Sequence, residues 1–234
     1  MSTSIRLPSG FSVAKAHEMQ QQLCSKIVQE DRLTLKIRLV AGVDVAYVDD
    51  RAIGAVAVLD YDSLRLVESA TAAVHVKFPY IPTLLSFREL PAAVAAIKRL
   101  KTQPDVFLVD AHGVAHPYGC GFASHLGLAL GKPTVGVAKS RLVGEIKEID
   151  SRPFLVHDGK VVGAILTTKK DAKPVYVSVG HFVSLSTSVK IVEHCTRGGR
   201  ISEPLLAAHR IASKKKRETL STSSRNSESK TGCL

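Results

Sequence analysis

Cysteine is sparse and unpatterned. Cys24, Cys120, Cys195 and Cys233 lie far apart and form no C-x-x-C pair, so neither a zinc set nor a disulfide framework is indicated. Reduced thiols in a cytoplasmic protein are the simple reading. Long apolar runs are missing too. No stretch is long enough to span a bilayer, and Met1 to Gly10 holds no apolar signal core. Membrane association is not expected. There is no internal repeat. Acidic residues are the minority, with 21 Asp and Glu against 32 Lys and Arg, a formal charge of +11 and a pI near 9.6. Such a surplus suits a polyanionic partner, nucleic acid or an anionic membrane surface, although a merely basic soluble protein carries it as well.

What is present is enough for a core. The chain has 234 residues, 45% of them hydrophobic, which fits one globular domain or two small ones. Residues 11–30 place Val13, Ala16, Met19, Leu23 and Ile27 at helical spacing. Three strand-like runs follow, 39–47, 52–60 and 66–76, separated by turn-prone links such as Asp49-Asp50-Arg51. Short links of this kind suit an antiparallel meander. The pattern then alternates: a helix over 91–101, a strand over 105–110, a helix over 123–130 and a strand over 134–138, an order that implies parallel pairing. A hairpin is predicted over 154–167, turning at Asp158-Gly159. A strand over 175–179 and helices over 185–195 and 204–212 complete the fold. The expected class is α/β, a ribonuclease H-like mixed sheet flanked by helices, ending at residue 212. Residues 213–234, with six basic and two acidic side chains, are expected to be a disordered basic tail. The folded part still keeps a net positive charge.

Asp44 interrupts the apolar run Val40 to Ala46, and Asp110 ends another. Aspartate is depleted in strands and costly to bury unpaired. Two carboxylates at strand positions of one sheet can converge on a hard divalent cation. Each alone is equally a buried Asp paired with Lys or Arg, or a helix cap; the two together in a basic protein favour metal. Glu89 has two readings. Ser86-x-x-Glu89 has capping-box spacing, but Pro91 sits best in the first turn of a helix, which leaves Glu89 just ahead of it, pointing into a cleft. Lys139, after the run Val135 to Ala138, is either a cation facing phosphate or simply solvated. His112 and His116 are four apart, but Gly113 and Pro117 argue against a helical metal motif. A lone helical histidine such as His209 is ordinarily structural. Phe78-Pro79-Tyr80-Ile81-Pro82 is stiff and apolar, a buried connection or a wedge for a base stack.

Taken together, these segments resemble the Endonuclease V family. The matching pieces are Val40 to Tyr47, Pro79-Tyr80-Ile81-Pro82 leading to Phe87-Arg88-Glu89, and Asp110 to Pro117. Gly121 to Gly127, Gly136-Val137-Ala138-Lys139-Ser140 and Val177 to His181 continue the match. The resemblance implies Mg²⁺-dependent nicking of DNA at deaminated bases, hypoxanthine above all, on the 3′ side and one nucleotide beyond the lesion. Mn²⁺ is expected to substitute. It implies that Asp44, Glu89 and Asp110 are the catalytic, metal-holding acids, with Lys139 and His209 assisting. Tyr80 and Pro82 would wedge the duplex, and Gly113 and His116 would line the lesion pocket. Inosine-containing RNA is the alternative substrate, and a non-catalytic nucleic-acid-binding module is a further alternative. A cytoplasmic monomer is expected. Three residues depart from the family pattern: Thr83 stands for Gly, Ala111 for Gly and Tyr118 for Arg.

Overall fold

The computed structural model describes residues 12–33 and 36–231, with side chains as far as residue 221. The stretch read as lacking a signal core, the first residue of the first predicted helix, and Cys233 lie outside the described residues. Among the described residues no helix is long and apolar enough to cross a membrane.

One nine-stranded sheet runs through the molecule in the order β3-β2-β1-β4-β5-β9-β8-β7-β6. β1 (Leu39–Val48), β2 (Arg51–Asp60) and β3 (Leu66–His75) form the antiparallel meander. β4 (Val106–Val109) lies parallel to β1, and β5 (Thr134–Ala138) parallel to β4. β9 (Val175–His181) returns antiparallel to β5. The predicted hairpin is β7 (Arg152–His157) and β8 (Lys160–Leu166), turning at Asp158 and Gly159, both with positive φ. β6 (Glu145–Ile149) was not foreseen. All five of its side chains are exposed, so it carries no burial pattern and becomes a strand only by pairing with β7.

Strand side chains alternate between two helical layers. Val40, Val106 and Leu108 meet α4 (Leu185–His194) and α5 (Glu203–Thr231), through Ile191, Leu205 and Ala208. Ala41, Val43, Phe107 and Val109 meet α2 (Leu85–Ile97) and α3 (Phe122–Leu130), through Ala93, Ala96, Ala123 and Leu126. Each fully buried Leu contributes about 2 kcal/mol by leaving water.

Three helix boundaries differ from expectation. α1 covers only Val13–Cys24, capped by the Ser12 side chain. Its buried residues are Ala16 and Gln20, whereas Val13 and Met19 are exposed. α2 starts at Leu85, six residues before Pro91, so the proline lies inside the helix. A proline there lacks the N–H for the Phe87 carbonyl. Burial of Ala92, Ala93 and Ala96 on the sheet outweighs that local cost. α5 continues to Thr231, where irregular chain was expected from Ser213; Ala212 is its last buried residue among those described. The first stretch beyond the core, Lys214 to Glu218, consists of good helix formers.

Candidate active site

Register brings the two aspartates together. Val43 of β1 is level with Val109 of β4, and the Asp110 N–H donates to the Val43 carbonyl at 3.2 Å. Asp44, within β1, and Asp110, just past the end of β4, therefore lie side by side on adjacent parallel strands. Counting by twos from Val40 and Val106, both face the α5 layer. Gly42 explains how α5 reaches them. A Cβ at this position would run into the Pro204 carbonyl, so only glycine lets the helix settle on β1. Five residues on from Pro204, His209 Nδ1 then lies 2.9 Å from Asp44 Oδ2. Across the sheet, Lys139 follows β5 and its ammonium pairs with Asp110 Oδ2.

Glu89 enters from the opposite layer. It is neither a cap nor ahead of its helix: it lies within α2 and is 9% exposed. Ser86 is also helical, and its hydroxyl lies 3.2 Å from His125 Nδ1. Helical phase, fixed by the alanines packed on the sheet, turns Glu89 to the strand ends. There the Tyr47 hydroxyl donates to Glu89 Oε1 at 3.3 Å. Arg88 stacks 4.6 Å over the Tyr47 ring and donates to the Phe78 carbonyl. Sequence reading missed Tyr47 and Arg88, although both adjoin the acids, at Asp44 plus three and beside Glu89.

The electrostatics are those of crowded carboxylates. Burial, then repulsion from Asp44, pushes the Glu89 carboxyl up to about 8, with the Asp110 charge adding to the rise. Burial and the Asp110 charge also raise Asp44, opposed by His209. Among the described residues, no three His, Cys, Asp or Glu side chains form a ready-made ligand cluster; Asp44 is turned to His209 and Asp110 to Lys139. The donor set nevertheless fits a hard divalent cation. It is all carboxylate oxygen, and the mutual repulsion is what such a charge would relieve.

Beside the acids opens a cavity of about 470 Å³, lined among others by Tyr80, Pro82, Thr83, Asp110, His116 and Lys139. Tyr80 is 69% exposed at its edge. His116 is buried and accepts from the Tyr118 N–H through Nδ1. Burial, with His112 nearby, lowers it to about 4, so it is neutral at neutral pH with its proton on Nε2. Gly113 stands behind this wall: its N–H donates to Ser178 Oγ at 2.8 Å, and a Cβ there would strike the Val179 carbonyl. Its part is to let the loop lie flat on β9, with His112 and His116 on the cavity side. His112 bonds the Ser140 carbonyl at 3.0 Å, tying that loop to the one after Lys139. Arg200, also missed from the sequence, donates to the carbonyls of Lys139, Lys173 and Pro174 and fixes the end of β5. His125, His181 and His194 pack elsewhere, against Phe87, Phe182 and Tyr61.

Two aspartates side by side on adjacent parallel strands, Glu89 reaching them from α2, Lys139 and Arg88 beside them and an open cavity alongside suit a hydrolytic nuclease. The Endonuclease V family profile matches residues 21–210, and the chain belongs to that family. Endonuclease V of Thermofilum pendens is 46% identical over 210 residues, 88% of this chain and 90% of that one. The solved Endonuclease V of Streptomyces avermitilis superposes with a TM-score of 0.83 at 36% identity, covering 93% of this chain and 100% of the other. Endonuclease V of Ciona intestinalis, in complex with a 24mer DNA containing an inosine followed by a ribo-adenosine, gives 0.79 at 30% identity, covering 88% and 98%.

Proposed function

We propose that the chain is a Mg²⁺-dependent repair endonuclease that nicks DNA on the 3′ side of deoxyinosine, one nucleotide beyond the lesion. The observation that carries this is the cavity edged by Tyr80 and lined by Asp110 and Lys139, with Asp44 and Glu89 in electrostatic contact with Asp110 beside it. The inosine-containing DNA bound by the Ciona relative supplies the base. Residues 1–212 would form the catalytic unit, with 213–234 as a basic extension.

Asp44, Asp110 and Glu89 would hold the metal. When bound, Mg²⁺ supplies Lewis-acid charge at the phosphate and lowers the pKa of water. His209 orients Asp44. Lys139, on the cavity side of Asp110, neutralises the scissile phosphate. The flipped base enters the cavity, where neutral His116 and backbone groups meet it without a competing charge. Tyr80, backed by Pro82, fills the gap left in the stack. The test is a nicking assay on a hypoxanthine duplex with and without Mg²⁺. Cleavage only with metal, at the second phosphodiester 3′ of the lesion, is expected. No cleavage with Mg²⁺ or Mn²⁺ would leave only a binding module.

A second reading is favoured by one observation, the ribo-adenosine after the inosine in the Ciona complex. Inosine-containing RNA would use the same centre, with 2′-hydroxyl contacts deciding the preference. Matched inosine DNA and RNA strands, cleaved in parallel, separate the two.

A further inference from the structure

Thr83 occupies a backbone position made for glycine. Ile81, Pro82, Thr83 and Leu84 form a tight turn, closed by the Leu84 N–H donating to the Ile81 carbonyl at 3.0 Å. Pro82 is second, and Thr83, third, has a φ of +71°. This is the type II pattern, whose third residue needs positive φ and is ordinarily Gly or Asn. A β-branched side chain is strained there. Such a turn persists only where its surroundings over-determine it.

Those surroundings belong to α1. Gln20 is fully buried, and its Nε2 donates to the Thr83 carbonyl at 2.8 Å and to the Cys120 carbonyl at 3.2 Å. His17 Nε2 lies 3.0 Å from Thr83 Oγ1. The His17 ring also stacks on Tyr118, with centroids 4.0 Å apart and planes 16° from parallel. His17 and Gln20 are three apart on one face of the helix. Thr83 sits on the loop that carries Tyr80, whereas Tyr118 and Cys120 sit on the loop that carries His116. One helical turn of α1 therefore ties together both walls of the cavity. It does so through two residues, Thr83 and Tyr118, that depart from the family pattern.

We propose that α1 sets the width of the base pocket, and that His17 is a positioning residue that selects which bases enter it by holding Thr83 in its turn and Tyr118 beside it. The selective role rests on the reading of the cavity as a pocket for a flipped base. A wall fixed from outside cannot relax around a differently shaped base, so discrimination depends on the tie. Loosening it weakens productive binding of hypoxanthine more than the chemical step, since the contacts of His17 are with Thr83 and Tyr118 and not with Asp44, Glu89, Asp110 or Lys139.

A double-mutant cycle on the full chain tests this, using His17→Ala and Thr83→Gly. Its readouts are melting temperature and cleavage of matched duplexes carrying hypoxanthine or uracil. His17→Ala should lower kcat/KM on hypoxanthine about tenfold. The decrease should lie mainly in KM, with the preference over uracil narrowed and the rate at saturating duplex held. In the Thr83→Gly background, where the turn needs no support, most of that decrease should vanish. His17→Gln, which retains a donor for Thr83 Oγ1, should recover part of it. An equal decrease in both backgrounds, or one confined to kcat with base preference unchanged, overturns the proposal. If the unaltered chain nicks neither duplex, the pocket reading and the selective role fall together. The tie itself is then read from melting, where additive effects of the two substitutions would refute it.

Discussion

His209 Nδ1 lies 2.9 Å from Asp44 Oδ2, a contact between residues 165 positions apart. Only the N–H form of that nitrogen can bond an ionised carboxylate, so the pair fixes both the ring tautomer and the carboxylate's orientation. Groups that orient a metal-holding side chain set affinity more than the chemical step. His209→Ala should therefore raise the Mg²⁺ concentration for half-maximal nicking about 10–100-fold, with much of the rate restored at saturating metal. A Mg²⁺ titration of both proteins on an inosine duplex reads this directly.

Glu89 makes stability and activity pull apart with pH. Its carboxyl is raised from an ordinary 4.5 to about 8 by burial and the Asp44 charge. A raised carboxyl contributes stability below its unfolded value and loses it as pH climbs through the folded value. The metal-free protein should thus lose stability between about pH 5 and pH 8. Glu89→Gln should remove most of that decline, leaving the part due to the raised Asp44 carboxyl, and melt higher than the unaltered protein at pH 8, with the two converging near pH 5. The difference at pH 8 should be a few kcal/mol at most. The same variant should lack activity. Metal competes with the proton, so nicking at low Mg²⁺ should rise with pH up to about 8.

Tyr80 is exposed at the cavity edge between two prolines, Pro79 and Pro82, and its removal should leave the fold intact. Tyr80→Ala should weaken binding to inosine duplex about tenfold or more, given stacking contributions of roughly 1–3 kcal/mol per base. Binding to undamaged duplex should change far less. Equal binding of both duplexes before and after the substitution would remove the wedge role.

Lys214, Lys215, Lys216 and Arg217 are exposed on α5 just beyond the core. Seven residues past His209, Lys216 returns to the same helical face about 10 Å further on. Replacing all four by Gln should reduce the salt dependence of duplex binding, by up to about 0.9 in the log–log slope for each phosphate these side chains neutralise. Cleavage at saturating duplex should hold. An unchanged slope would show that this helix takes no part in DNA binding.

Short apolar runs bounded by turn residues made most of the sheet legible: the meander follows from its turn-prone links, the parallel centre from the strand-helix-strand order of wholly apolar runs, and the β7–β8 hairpin from Asp158-Gly159. β6 did not, because five exposed side chains leave no pattern to read. Asp44 and Asp110 were legible as carboxylates out of place in apolar strands. Glu89 was not settled by spacing, since Pro91 argues locally for a helix start that packing of Ala92, Ala93 and Ala96 overrides. His209 and Lys139 gained their roles from the family resemblance, as nothing local distinguishes them from structural or solvated side chains. Tyr47, Arg88 and Arg200 act through contacts that only the tertiary fold creates. Gly113 was expected to line the pocket; its contacts place it behind the wall, where its lack of a side chain matters more than its polarity.

The central claim is that Asp44, Glu89 and Asp110 carry out metal-dependent hydrolysis. Asp110→Asn tests it most directly, being nearly isosteric and removing one charge. The account predicts that nicking of an inosine duplex in Mg²⁺ falls by at least about a thousandfold, on the scale of removing a key electrostatic group, while folding and inosine-duplex binding persist. Full Mg²⁺-dependent nicking by Asp110→Asn would contradict it.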